Sequence, residues 1–97
     1  MKICSLASGS KGNCLFIETG GVRLLIDAGL SLKEITTRLT DSALDPESIH
    51  AVLVTHEHVD HIRSAGSFAR RYKVPVLTSY ATRQAAERYL QKTQLVE

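Results

Sequence analysis

The stretch IHAVLVTHEHVDH, Ile49 to His61, sets an apolar run directly against three histidines and an aspartate. Ile49 to Thr55 is β-branched and almost wholly apolar, the pattern of a strand buried on both faces. His50, at the head of that run, reads as a surface histidine. The strand then delivers His56, His58, Asp60 and His61 to one end of a sheet. Imidazole is the commonest protein ligand for zinc, and carboxylate oxygens serve too. His56 and His58 are two apart, so in extended backbone both point to one side and a single metal can take both. Asp60 shares that parity. His61 is offset by one and opens the following helix, which predicts a side chain splayed from the other three. Two neighbouring metals satisfy this spacing, one on His56 and His58, the other on Asp60 and His61. Paired metals of that kind clamp the attacking and leaving oxygens of a hydrolysis. The competing explanation is a solvated loop with one histidine capping a helix. It suits any single histidine better than it suits this density of ligands behind a buried strand.

Upstream, KICSLA and CLFIE are short β-type runs separated by SGSKGN, and TGG separates the second from VRLLI. Glycines able to take positive φ make TGG a hairpin turn, so the first third is a meander of three strands. Ser31 with Glu34 forms a capping box, and Leu32, Ile35 and Leu39 recur at helical spacing. Asp45 followed by Pro46 predicts a short helical turn. Downstream, Ile62, Ala65, Ala69 and Tyr72 mark a helix with Arg63, Arg70 and Arg71 mostly off the apolar stripe. KVPVLTS is another strand with Pro75 at its start or on an edge, and ATRQAAERYLQK a last helix. The order β-β-β-α-β-α-β-α is a meander passing into strand–helix alternation, an α/β arrangement that favours parallel pairing. Asp27, the histidine cluster and Ser79 each follow a strand and so converge beyond the strands' carboxyl ends.

The chain has 97 residues, 43% hydrophobic and 23% charged, with a net charge of +2. These values suit one globular domain spanning residues 1–97, and the charge alone makes no case for nucleic acid. Polar SGSKGN interrupts the apolar N-terminus, so neither a signal peptide nor a membrane span is predicted. Two cysteines, Cys4 and Cys14, are too few for a disulfide framework and read as small buried hydrophobes in a cytoplasmic protein.

THEHVDH resembles the H-x-H-x-D-H signature of the metallo-β-lactamase fold hydrolases, and Asp27 in LLIDAG resembles the aspartate that supports their metal site. SLASGSKGNC and LIDAGLS are similar to one branch, the YycJ/WalJ-like metallo-hydrolases, described as exonucleases or phosphodiesterases. The resemblance covers nearly the whole chain. It implies the N-terminal half of an αββα sandwich, with a mixed sheet carrying helices on one face. It implies two divalent metal ions, zinc first, with manganese and iron also suited. His56 and His58 would bind the first and Asp60 and His61 the second. A hydroxide bridging the metals would attack a phosphoester phosphorus in DNA or RNA, and Asp60 would help to orient it. Asp27 would accept the second N–H of a metal-binding imidazole.

The chain departs from the family pattern after His61, where it contains no histidine and no aspartate, and its only later carboxylates are Glu87 and Glu97. Catalytic zinc normally has three protein ligands plus water, so two per metal should bind weakly. The reading is therefore half of an enzyme site. A sheet with helices on one side would also leave an apolar face exposed, which predicts a homo-oligomer or association with the missing C-terminal half. A thioesterase or lactonase of the same superfamily, and a non-catalytic fragment that binds metal loosely or only assembles with a partner, are the other readings. Ser10 and Asn13 of the SGSKGN turn are candidate substrate contacts, since glycine-rich turns expose N–H groups, although tight turns use the same residues. Glu87, and the basic run Arg63, Arg70, Arg71 and Lys73, read as solvated helix faces.

Overall fold

In a computed structural model, the described residues are the whole chain except Ser10, Lys11, Glu57, Lys92, Gln94 and Glu97. The side chains of Asp60, Arg88, Leu95 and Val96 also lie outside the description. Strands β1 (Lys2–Ala7), β2 (Cys14–Thr19) and β3 (Val22–Ile26) form the expected meander. Thr19 pairs with Val22 across Gly20 and Gly21, whose φ values of +56° and +80° are those of a tight two-residue turn. Helix α1 (Leu32–Asp41) starts at Ser31, whose hydroxyl accepts the Glu34 N–H at 3.2 Å. A 3₁₀ turn over Pro46–Ser48 is capped by Asp45 as expected. Then follow β4 (Ala51–Leu53), α2 (Val59–Ile62), α3 (Ala65–Tyr72), β5 (Val76–Leu77), α4 (Tyr80–Ala85), α5 (Glu87–Leu90) and β6 (Leu95–Val96).

The six strands lie in sequence order in one sheet. The first two pairings are antiparallel and the remaining three parallel, so the sheet is mixed. The register places Cys4, Phe16, Leu25, Val52 and Val76 in one row across it. Phe16, Leu25, Val52 and Val76 have no exposed surface, and they pack with Ile35, Leu39, Ile62, Phe68 and Leu90 from the helices in one core. The other face is apolar too, but Ile3 is 60% exposed, and Leu15, Ile17, Leu24, Ile26, Leu53 and Leu77 are only partly buried. Helices therefore cover one face, as expected of half a sandwich.

Four details differ from the sequence reading. The strand predicted over Ile49–Thr55 is a three-residue ladder, and Leu53 on its helix-free side is not sealed. The helix after the histidines is broken, because the Ser64 N–H is drawn to the Ala28 carbonyl at 2.8 Å. The last helix starts one residue early, at Tyr80, and breaks at buried Ala86. Strand β6, which was not expected, lies beyond β5, so of the two places expected for Pro75 it takes the strand start and not an edge.

Candidate metal centre

The candidate site lies where β3 and β4 end. Asp27 leaves β3 with φ +64°, a left-handed conformation that Asp tolerates better than most residues but still at some cost. The surroundings hold it there. Its N–H donates to the Leu53 carbonyl at 2.7 Å, and the next N–H, of Ala28, donates to the His61 carbonyl at 2.6 Å. Gly29 N–H reaches the Asn13 carbonyl at 2.9 Å. The turn after β3 is thus tied to β4, to α2 and to the loop before β2.

The side chain of Asp27 is the hub of the site and is 6% exposed. Its Oδ1 accepts the Thr55 backbone N–H at 2.7 Å. Its Oδ2 lies 2.6 Å from both Thr55 Oγ1 and His61 Nδ1. A carboxylate only accepts, so the proton between it and His61 sits on Nδ1, which leaves the lone pair that a metal would take on Nε2, 3.4 Å from Asn13 Nδ2. Thr55 Oγ1 lies a further 2.9 Å from His56 Nδ1. The His56 and His61 rings are 4.7 Å apart between centroids. One potential ligand atom from each of Asp27, His56 and His61 falls within 4.8 Å of the others. Two imidazoles held by their Nδ1 atoms beside a carboxylate are a donor set that fits a divalent metal.

The expected residues come together unevenly. His56 and His61 are adjacent, whereas the His56 and His58 rings are 6.2 Å apart. The expectation that His61 splays away is therefore wrong, because the backbone turns helical at Val59, directly after His58, swinging His61 back. His58 is exposed and occupies the N-cap position of α2. Asp60 sits in that helix, with its side chain outside the described residues. Ser10 also lies outside them. Asn13 borders the site: its Nδ2 is 3.4 Å from His61 Nε2 and donates to the Gly9 carbonyl at 3.0 Å. Ser79 does not join the site; its hydroxyl caps α4 by accepting the Thr82 N–H at 3.2 Å. Glu87 is an exposed helix residue, and exposed His50 holds β3 to β4 by accepting the Arg23 N–H at 2.9 Å. Sequence reasoning missed Thr55, although a hydroxyl residue wedged between a buried strand and a ligand cluster is a visible signal.

Beneath the site, burial pushes the Cys14 thiol up to about 12, and the negative charge of Asp27 adds to the effect while Arg38 opposes it. Cys14 is a packed side chain of the core, as expected, and Cys4 is partly buried.

This edge-on arrangement of aspartate and histidines above a mixed sheet defines a class, and residues 7–96 match the metallo-beta-lactamase superfamily. The chain belongs to that family. It is 46% identical over 93 residues to the Exodeoxyribonuclease WalJ of Streptococcus pneumoniae serotype 2, a match covering 94% of this chain and 35% of that protein. It is 44% identical over 82 residues to the Exodeoxyribonuclease YycJ of Bacillus anthracis, covering 84% of this chain and 31% of that one. Among solved structures, it superposes with a TM-score of 0.74 and 26% identity on a B3 metallo-beta-lactamase with an active-site glutamic acid, covering 86% of this chain and 32% of that one. The chain thus spans about a third of the length of these relatives. Among its described residues, no helix is long and apolar enough to cross a membrane.

Proposed function

We propose that this chain carries the first half of the active site of a cytoplasmic, metal-dependent phosphodiesterase, an exonuclease acting on DNA or RNA. The observation that carries the reading is the Asp27 hub, which ties two imidazoles by their Nδ1 atoms at the open end of the sheet. The two exodeoxyribonucleases it resembles at 46% and 44% identity support a nucleic-acid substrate. In this reading His56 and His58 hold one cation and Asp60 and His61 the other, with zinc first and manganese or iron as alternatives. Bound there, two divalent cations would lower the pKa of water and stabilise charge developing on the phosphoester oxygens. Asp60 orients the nucleophilic water, and Asp27 keeps His61 in the tautomer that presents Nε2. Asn13, whose amide borders His61, and Ser10 are the substrate contacts in this reading.

The test is zinc uptake measured by elemental mass spectrometry, followed by incubation of the zinc-loaded protein with end-labelled DNA, RNA, a thioester and a lactone. Weak zinc binding that His56→Ala and His61→Ala each abolish, with any cleavage confined to the nucleic acid, is the expected result. A chain that takes up no zinc, or a loaded one that cleaves only the thioester or lactone, overturns the reading.

The open apolar face supports a second element of the proposal. Partly buried Leu15, Ile17, Leu24, Ile26, Leu53 and Leu77 lie together on the face without helices, a patch of the kind that monomeric proteins rarely leave uncovered. We infer that another polypeptide surface, a second copy or the remaining portion of the sandwich, covers it and brings further metal ligands. Sedimentation of the 97-residue chain should show self-association. A strictly monomeric species at all concentrations would exclude the second copy.

A further inference from the structure

Thr55 occupies a position that its side chain makes chemically decisive. Its hydroxyl lies 2.6 Å from Asp27 Oδ2 and 2.9 Å from His56 Nδ1. A hydroxyl has one proton to give and two lone pairs with which to accept. The carboxylate can only accept, so at that short distance the Thr55 proton goes to Asp27. His56 Nδ1 therefore has to supply the proton in its own contact with Oγ1, which makes it the N–H nitrogen and leaves Nε2 with the lone pair. The same Oδ2 accepts from His61 Nδ1 at 2.6 Å, which fixes that ring in the same form.

We propose that Thr55 is a positioning residue that relays the tautomer-setting influence of Asp27 to His56, so that a single buried carboxylate presents Nε2 of both imidazoles to metal. The relay rests on the reading that His56 and His61 hold cations. It gives the site one common control: Asp27 acts directly on the ring assigned to one cation and, through the Thr55 hydroxyl, on a ring assigned to the other. The connection is short because Thr55 is anchored twice, its backbone N–H donating to Asp27 Oδ1 at 2.7 Å while its hydroxyl serves Oδ2. The backbone anchor does not depend on the side chain. A variant without the hydroxyl therefore keeps the loop in place and loses only the relay.

The experiment compares Thr55→Val and Thr55→Ser with the unaltered chain. In metal-free protein at alkaline pH, where imidazoles are neutral, the ¹⁵N shifts of the His56 and His61 ring nitrogens report each tautomer. Thr55→Val should turn His56 from the Nδ1–H form into a mixture of forms while His61 stays Nδ1–H, and Thr55→Ser should restore His56. The amide spectrum of each variant shows that the fold is kept. Zinc titrated against a competing chelator should bind Thr55→Val about ten- to a hundredfold more weakly, the usual loss when a partner of a ligating histidine is removed, and Thr55→Ser near normally. A His56 tautomer unmoved in Thr55→Val, or unrestored in Thr55→Ser, overturns the relay. Failure of the unaltered chain to bind zinc overturns the metal reading instead, and the tautomer data distinguish the two failures.

Discussion

Leu24 and Leu25 are neighbours on β3 with opposite surroundings. Leu25 pairs with Phe16 and Val52 beneath the helices and has no exposed surface, whereas Leu24 pairs with Ile17 and Ala51 on the other face and is only partly buried. The same alternation runs along β2, where Phe16 is sealed and Ile17 is not. The sheet is apolar on both sides, yet this chain finishes only one of them. That is the pattern of one layer pair of a sandwich: a helix-covered face that can hold the chain's own fold, and a second face whose energy is realised only against another surface. The candidate site sits on the rim between them, where β3 and β4 end.

The largest effect should follow from truncation on the sealed face. Leu25→Ala removes atoms from a site that cannot collapse, at a cost of about 2–5 kcal/mol. Leu24→Ala should cost much less. Denaturant unfolding of the two variants measures the difference, and equal losses would mean that the two faces are equally packed. A second way to disturb the sealed side is Gly66→Ala. Helices α3 and α5 cross so closely that a Cβ at Gly66 would fall on the Tyr89 carbonyl oxygen, which is backbone and cannot rotate aside. Forcing them apart should cost about 1–3 kcal/mol, read as a lowered denaturant midpoint.

Cys14 tests the same face without altering its shape. Its thiol ionises near 9.0 in an unfolded chain and at about 12 in the fold, because burial disfavours the thiolate and Asp27 repels it. Below the lower value both states carry the neutral thiol and stability does not depend on it. Above it the unfolded state loses its proton first, so stability should fall by up to about 1.4 kcal/mol per pH unit until the folded thiol also titrates. Unfolding followed across alkaline pH should show this slope, and Cys14→Ala should lack it. Native Cys14 should also resist thiol reagents; rapid labelling would show that the face is not sealed.

Much of this was legible because its signals are local. Ser31 and Asp45 announce their helix starts, and Gly20 with Gly21 announces the hairpin, since each works within a few residues of itself. Strand β6 was not legible, because two residues carry no periodicity. The break before α3 was not either, since the Ser64 N–H is taken by Ala28, thirty-six positions upstream. In the site, the ligand types were plain from THEHVDH, and Asp27 from its resemblance to a known motif. The proximity of His61 to His56 was hidden because the parity argument carries extended backbone past His58, where the chain has already turned. Thr55 was missed because its role depends on where a hydroxyl lies in space between the Asp27 carboxylate and the His56 ring, which spacing along the chain does not encode.

The smallest change in folding stability should come from the open face, and it is the most informative about what covers that face. Leu24→Ser and Ile17→Ser replace partly exposed apolar groups, which should cost the single chain under about 1 kcal/mol. Their effect belongs to association. If a second copy or another sheet packs on this face, each loses apolar area from the contact, and two adjacent polar groups would then be buried without partners. Sedimentation equilibrium should therefore show the double variant shifted towards monomer while its circular dichroism stays unchanged. The paired control is on the sealed face: Leu25→Ala should lower stability and leave the association of the folded fraction intact. If instead Leu24→Ser destabilises the monomer as much as Leu25→Ala does, the open face is part of the chain's own core. The contrast between the two sides of β3 would then vanish.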